Sequence, residues 1–258
     1  MKHLSVVIIT YNEARHLEAC IQSVEDIAHE IIVVDSGSTD GTIEIAERLD
    51  CDIAYRPFDN FANQKNFALS LASCPWILSI DADERLSEEL ASSIAEVLNS
   101  DYDNARSTWN MERLNHYCGK PIKHSGWYPD KQTRLLKNGA ATWNGLVHES
   151  LQIKDGSQPQ LLSGELLHYT SQTIEQHVSQ INRYSTLRAQ RKKSQSSFVL
   201  YFKLFFASSW KFFHIYLFKG GFLDGFAGLC IAILSAYGIG IANLKALQMK
   251  REGVDGHG

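Results

Sequence analysis

The chain has 258 residues, 44% of them hydrophobic and 21% charged, the balance of a folded protein of one or two domains and not of a disordered one. Twenty-five Lys and Arg against 29 Asp and Glu give a formal net charge of -4, which argues against a globally basic nucleic-acid binder, so no nucleic-acid partner is expected. The five cysteines (Cys20, Cys51, Cys74, Cys118, Cys230) are scattered, with no CxxC pair and no zinc-like Cys/His spacing, and a reducing compartment is expected.

Met1-Lys2-His3 runs into a short apolar segment with no cleavage-like site, so no signal peptide is expected and the chain reads as cytoplasmic. Residues 4–10 form a β-branched apolar run, predicted to be a strand buried on both faces. Residues 13–28 place Ala14, Leu17, Ile21 and Val24 at helical spacing. Residues 30–34 repeat the buried-strand pattern and end at Asp35; a turn over 36–42 then leads into a helix reaching about Leu49. A third strand is predicted at 52–55, a helix at 63–71, and a fourth strand at 76–80 that ends at Asp81-Ala82-Asp83-Glu84. Strands alternating with helices at this spacing predict βαβ units and a mostly parallel sheet.

After about residue 105, short segments with many aromatics and glycines predict irregular strands and loops. From about Ile174 the pattern is helical, and residues 188–193 carry four positive charges in six positions. Residues 196–218 are dense in aromatics but include Lys203, Lys211, His214 and Lys219, a pattern that fits an interfacial helix better than a spanning one. Between Asp224 and Lys245 lie twenty residues without a formal charge. That is long enough to span a bilayer, although its glycines and Asn243 lower its apolarity. The basic cluster would attract anionic headgroups, so peripheral attachment to an anionic membrane surface is expected, with a soluble helical subdomain or a dimer interface as the alternative.

Ligands of open α/β sheets bind beyond the carboxyl ends of the strands. Polar groups stand at three such ends: Thr10-Tyr11-Asn12-Glu13, Asp35-Ser36-Gly37-Ser38 and Asp81-Ala82-Asp83. Asp40, just before Gly41-Thr42, reads as a helix cap. Asp35 and Asp83 follow apolar strands and read as functional. Two carboxylates in Asp81-x-Asp83 suit a hard divalent cation, Mg²⁺ or Mn²⁺, that also holds a diphosphate. No glycine-rich phosphate loop is present, so metal rather than a helix N-terminus is expected to neutralise that diphosphate.

These segments resemble the inverting glycosyltransferases of family 2, on Val7-Ile8-Ile9-Thr10-Tyr11-Asn12-Glu13, on residues 31–42 and on Asp81-Ala82-Asp83-Glu84. A narrower group is also similar, the lipopolysaccharide core-biosynthesis glucosyltransferases. That likeness rests on Asn63-Gln64-Lys65-Asn66-Phe67-Ala68, residues 126–135, Val147-His148-Glu149 and Gly221-Phe222-Leu223-Asp224-Gly225. The resemblance implies an α/β, GT-A nucleotide-sugar-binding fold with a mostly parallel central sheet and a C-terminal helical membrane-associating region. The expected division is a nucleotide-sugar half at 1–105, an acceptor-binding and catalytic half at 106–173, and an aromatic-rich helical region at 174–258.

It further implies inverting transfer of a hexose, glucose in the narrowest version, from a UDP-sugar to an inner-core sugar of a lipid-anchored saccharide on the inner membrane. By the same resemblance Thr10, Asn12 and Glu13 line the nucleoside pocket, and Asp35 accepts a hydrogen bond from uracil or ribose. Lys65 sits near the donor phosphates. Asp83 ligates the metal, Asp81 contacts ribose or metal, and His168 completes the metal shell or contacts phosphate, although an isolated histidine after an apolar pair also reads as structural. Glu149 and Asp130 are the two candidates for the general base. Arg134 pairs with one of these acids or binds an acceptor phosphate, with a structural salt bridge as the alternative, and Trp127, Tyr128 and Trp143 stack on sugars or else build an ordinary core. The rival readings are a polyprenyl-phosphate acceptor, a non-catalytic nucleotide-sugar-binding protein, and a nucleotidyltransferase, whose usual phosphate loop is missing after the first strand.

Overall fold

The computed structural model describes residues 3–99, 107–145, 150–170 and 173–255. The chain divides into two compact units, Met1–Leu114 with Asp130–Tyr169, and Asn115–Pro129 with Thr170–Gly258.

The first unit opens with β1 (Leu4–Thr10), α1 (Leu17–Gln22), β2 (Glu30–Asp35), α2 (Thr42–Arg48), β3 (Asp52–Tyr55), α3 (Phe61–Leu71) and β4 (Trp76–Asp81). The four strands pair in parallel in the order β3-β2-β1-β4. All seven residues of β1 are buried, because strands flank both its edges and its alternating side chains enter two cores. Leu4, Val6 and Ile8 pack with Leu17, Ile21, Leu90 and Ile94 on one face. Val7 and Ile9 pack with Ala62, Ala68 and Ile77 on the other.

Beyond β4 come β5 (Glu84–Leu86), α4 (Glu88–Asn99), β6 (Thr108–Tyr117), β7 (Lys120–Pro121), β8 (Lys131–Lys137), β9 (Ala141–Asn144), β10 (Ser150–Ile153) and β11 (Gln160–Tyr169). The sheet continues from β4 through β8, β6, β11 and β5. The β4–β8, β6–β8 and β5–β11 pairs are antiparallel. The parallel pairing predicted from βαβ alternation thus holds as far as that alternation itself extends. β9 and β10 form a separate antiparallel pair.

Two local expectations differ from the structure. The helix predicted at 13–28 contracts to the six residues of α1. The amides of Asn12, Glu13 and Ala14 instead donate to Ser38 Oγ, Thr42 Oγ1 and Asp40 Oδ2 at 2.8, 2.9 and 3.2 Å, so the chain is held in a loop there. Residues after 105 are also more regular than expected: β6 and β11 have ten residues each. Their half-buried faces carry polar side chains such as Asn110 and Glu112, which hides the alternation that marks a strand.

Gly164 of β11 sits at φ +89, and a Cβ there would lie 2.3 Å from the backbone nitrogen of Leu90 in α4. Gly164→Ala is therefore expected to destabilise the protein by about 2–4 kcal/mol through backbone strain and overpacking. A urea titration reads this, and an unchanged midpoint would contradict the tight contact of β11 with α4.

In the second unit, α5 (Ile174–Lys192) starts from a capping box between Thr173 and Gln176. A continuous helical run follows: α6 (Ser197–Phe202), a π turn (Lys203–Ala207), α7 (Ser208–Phe213) and a second π turn (His214–Phe218). After a 3₁₀ turn at Gly221–Asp224 comes α8 (Gly225–Asp255). The segment 221–225 ties this unit together. Asp224 accepts from the amides of Lys123 and His124, each at 3.2 Å, and from Ser125 Oγ at 2.7 Å. A side chain at Gly228 would strike the carbonyl oxygen of Gly221 at 1.8 Å.

Among the described residues, Gly221–Glu252 is the one helical stretch long and apolar enough to cross a membrane. It also has a packed side: Ile231, Ala232, Ala242 and Ala246 are fully buried, and Lys245 Nζ donates to Ser185 Oγ and Thr186 Oγ1 of α5 at 2.9 and 2.8 Å.

Candidate active site

The first two strand ends form one rim. Thr10 and Asp35 are register partners at the ends of β1 and β2. Thr10 Oγ1 is buried with no hydrogen-bond partner. Asp35 is buried and holds its own loop: Oδ2 accepts from the amides of Gly37 and Ser38 at 2.7 and 2.9 Å, and Oδ1 accepts from Ser38 Oγ at 2.5 Å. Gly37 makes this possible by adopting φ +97. Asn12 Oδ1 accepts from the Thr39 amide at 2.8 Å, which laces the loop after β1 to the loop after β2. Asp40 Oδ1 accepts from the Thr42 amide at 3.0 Å and from the Thr42 hydroxyl at the start of α2, whose N-cap position is Gly41.

The third strand end is acidic and is neutralised from beneath. Arg134 of β8 is 1% exposed. Its Nη2 donates to Asp81 Oδ2 at 2.8 Å and to Glu84 Oε1 at 2.6 Å. Glu84 is fully buried; its Oε2 accepts from the Asp81 amide at 3.0 Å. Lys65 Nζ lies 3.6 Å from Asp81 Oδ1. Burial alone would raise the Asp81 carboxyl, but Arg134 and Lys65 outweigh it and hold the group well below the usual carboxylate range. Burial likewise opposes the charge on Arg134, and Asp81 and Glu84 raise its pKa nonetheless. Arg134 was expected on the acceptor side; the structure makes it the buried counter-ion of the acidic strand end.

The segment 63–66 is explained by four side chains that leave the first turns of α3 in four directions. Asn63 Nδ2 donates to Asp59 at 2.6 Å, and Gln64 Nε2 donates to Ser36 Oγ at 3.0 Å. Lys65, 4% exposed, reaches Asp81 and lies 4.6 Å from the centre of the Trp143 ring. Asn66 clamps the backbone of Trp143 with two bonds of 2.8 Å. Trp143 is buried against Lys65, so its ring supports the lysine and is not free to stack on a sugar as expected.

Above this layer, Asp83 Oδ2 and His168 Nε2 stand 3.2 Å apart. The β5–β11 pairing sets His168 opposite Glu84, and the Tyr169 amide donates to the Asp83 carbonyl at 2.9 Å. Burial disfavours a charged His168, but the Asp83 carboxylate outweighs it and raises the imidazole pKa. The Glu13 carboxyl is pushed up to about 7 by burial and then by the charges of Asp83, Asp40 and Asp81, with His168 partly offsetting them. Negative charge is thus in excess at this edge.

A carboxylate and an imidazole converging beside further acids suit a divalent cation. Among the described residues no group of three His, Cys, Asp or Glu is gathered to hold a metal ion by itself.

Asp130 is engaged on both oxygens. Arg113 Nε and Nη2 lie 2.8 and 2.7 Å from Oδ2, and Gln132 Nε2 donates to Oδ1 at 2.8 Å. Arg113 also reaches Glu84 Oε1 at 3.4 Å, so Asp130, Arg113, Glu84, Arg134 and Asp81 form one chain of alternating charge. Sequence reasoning missed Glu84 and Arg113. The signal for Glu84 was its place directly after Asp83; Arg113 gave none beyond a charge in a strand. Val147, His148 and Glu149 lie outside the described residues. Trp127 and Tyr128 belong to the second unit. There Trp127 meets Tyr117 edge-to-face at 5.9 Å, and Tyr117 Oη is 3.0 Å from His177 Nδ1.

Residues 5–138 match the glycosyl transferase family 2 profile. A glycosyltransferase of Rickettsia prowazekii (strain Madrid E) is 31% identical over 98% of this chain and 90% of its own length. The lipopolysaccharide core biosynthesis glycosyltransferase LpsC of Rhizobium meliloti (strain 1021) is 31% identical over 90% of each chain. The chain therefore belongs to glycosyl transferase family 2, with the GT-A architecture of a nucleotide-sugar-dependent transferase. A partial likeness links it to glucosyl-3-phosphoglycerate synthase from Mycobacterium tuberculosis, crystallised with Mn²⁺, uridine diphosphate and glucosyl-3-phosphoglycerate. It has 21% identity and a TM-score of 0.36, and covers 45% of this chain and 44% of that one.

Proposed function

We propose that this protein transfers a hexose, glucose in the narrowest reading, from a UDP-sugar to an inner-core sugar of lipopolysaccharide, inverting the anomeric centre. It would work on a lipid-anchored acceptor at the cytoplasmic face of the inner membrane. The observation that carries the reading is the Asp83–His168 pair, 3.2 Å apart at the strand end whose Asp81 is already neutralised from beneath. The name of the LpsC relative supports the acceptor class.

Asp83 and His168 would hold Mg²⁺ or Mn²⁺, which when bound supplies positive charge to the departing diphosphate. Asp81, kept ionised by Arg134 and Lys65, accepts from the donor's ribose. Lys65, 3.6 Å from Asp81, would add its charge beside the donor phosphates. Thr10, with its unpartnered buried hydroxyl, lines the nucleoside side with Asn12 and Glu13. Asp35 shapes that rim by holding residues 36–38 and would accept from uracil or ribose with whatever acceptor capacity is left. Trp127 and Tyr128 serve the acceptor saccharide.

The acceptor hydroxyl attacks the anomeric carbon as the bond to the diphosphate oxygen breaks, and its proton passes to Glu149. Asp130 is the poorer base because Arg113 and Gln132 occupy both its oxygens; it positions Arg113. Glu149→Gln is expected to lower transfer by about 10²–10⁴-fold while leaving donor affinity unchanged. Asp130→Asn is expected to lose less; the reverse order in single-turnover assays would exchange the two roles.

The function itself is tested with a panel of nucleotide-sugars, offered with a heptose-bearing lipid acceptor or with polyprenyl phosphate. Transfer from a UDP-hexose to the saccharide is the expected result. Transfer only to polyprenyl phosphate would overturn the acceptor, and transfer from no donor would overturn the enzyme.

A further inference from the structure

The run from residue 197 to 218 carries Phe198, Phe202, Phe206, Trp210, His214 and Phe218, each four residues after the last. At about 100° per residue, four residues overshoot a helical turn by about 40°, so five such steps would wind the row roughly 200° around a regular α-helix. The two π turns, Lys203–Ala207 and His214–Phe218, remove that drift, because closing each turn one residue later rotates the following residues back.

The rings therefore stay in line. Phe202 stacks on Phe206 with centroids 4.8 Å apart, and Trp210 contacts both His214 at 6.1 Å and Phe218, eight residues on, at 5.6 Å. A second row one position earlier, Tyr201, Phe205, Phe213 and Leu217, is exposed beside it. Trp210 is 60% and Phe218 68% exposed. A π turn interrupts regular helical bonding, and two of them are spent on aligning a row in which Phe198, Phe202, Phe206, Trp210 and Phe218 remain exposed, which calls for an external partner.

Charge identifies that partner. Lys203, Lys211 and Lys219 lie one position after the main aromatic row; Lys203 Nζ donates to Gln195 Oε1 at 2.8 Å, so Lys211 and Lys219 carry the charge of that border. Between Glu175 and Asp224 the sequence holds eight Lys and Arg and no Asp or Glu, although the whole chain is net negative. A flat aromatic face bordered by lysines and free of acid matches the interfacial zone of an anionic bilayer: rings sink to headgroup depth and lysine stems reach back to phosphate. A protein partner would need complementary acids at the same flank, and a second copy of this chain would set lysine against lysine there.

We infer that residues 198–218 form a docking face for an anionic phospholipid bilayer, kept flat by the two π turns. This deepens the membrane-side part of the proposed function and stands independently of the chemistry assigned to Asp83 and His168.

The test is co-sedimentation of the full chain with vesicles of phosphatidylcholine alone or mixed with phosphatidylglycerol. Wild type should bind the anionic vesicles, more weakly as salt rises. Phe206→Ser with Trp210→Ser should lose at least about tenfold in partitioning, with its melting temperature and its turnover of a soluble, lipid-free acceptor unchanged. Lys211→Gln with Lys219→Gln should lose the preference for anionic lipid, about fivefold per lysine. Equal vesicle binding by the aromatic variant, or none by wild type, would overturn the inference. A wild-type dimer in sedimentation velocity that the aromatic variant dissolves, without vesicle binding, would assign the face to self-association instead. Loss of transfer with intact vesicle binding would count against the proposed enzyme alone.

Discussion

Asp83→Ala is expected to lower sugar transfer by about 10³-fold or more while leaving the fold intact. The Asp83 side chain is partly exposed and meets His168. Its backbone carbonyl still accepts from the Tyr169 amide, so truncation at Cβ leaves β11 in place. The loss falls on function because the side chain is one of the two donors offered to the cation, and His168 alone would hold it weakly. Removing the carboxylate relieves the negative field that pushes Glu13 upward but also takes the partner from His168, so the net change in stability should be small. Initial rates with a labelled donor, alongside a thermal melt, check both parts. Near wild-type turnover would contradict the assignment, and a collapsed melt would make Asp83 a structural residue.

Arg134→Met should act in the opposite sense, on the fold first. It removes the counter-ion from the fully buried Glu84 and from Asp81 together. Breaking a buried ion pair from one side costs about 3–5 kcal/mol, since the carboxylate left behind stays desolvated. The pH dependence follows from Asp81, whose folded pKa is depressed by Arg134 and Lys65. That stabilisation is complete above the unfolded carboxyl value of about 3.9 and is lost as pH falls below it. The gap between wild type and variant should therefore be widest near neutral pH and narrow in acid. Urea unfolding at several pH values measures it, and a difference under about 1 kcal/mol at neutral pH would show that the pair contributes little.

What the sequence made legible follows its periodicities. The four parallel strands could be read because β1, β2 and β4 are largely apolar runs, broken only by Ser5 and Ser79, that stop at polar residues. That logic put Asp35 and Asp81 at the ends of strands, where the structure has them, with Asp83 just beyond. The role of Arg134 could not be read, because its partners Asp81 and Glu84 lie more than 45 positions away along the chain, and a buried arginine reads in a sequence like an exposed one. Trp143 failed for a related reason: an aromatic beneath a lysine and an aromatic beneath a sugar have the same letter. The segment 221–225 was recognised only by resemblance; its cause is Asp224 binding residues about a hundred positions earlier. The aromatics of 198–218 were visible as composition, but their alignment depends on the two π turns, which the structure shows.

Titration calorimetry of UDP into the wild-type protein, once with Mn²⁺ and once with EDTA, addresses the divalent site most directly. Binding that is at least about tenfold tighter with Mn²⁺, and a difference that vanishes in Asp83→Ala, is the predicted result. Equal affinity in the chelated buffer, or no UDP binding under either condition, would contradict a nucleotide diphosphate held through metal at the end of β4.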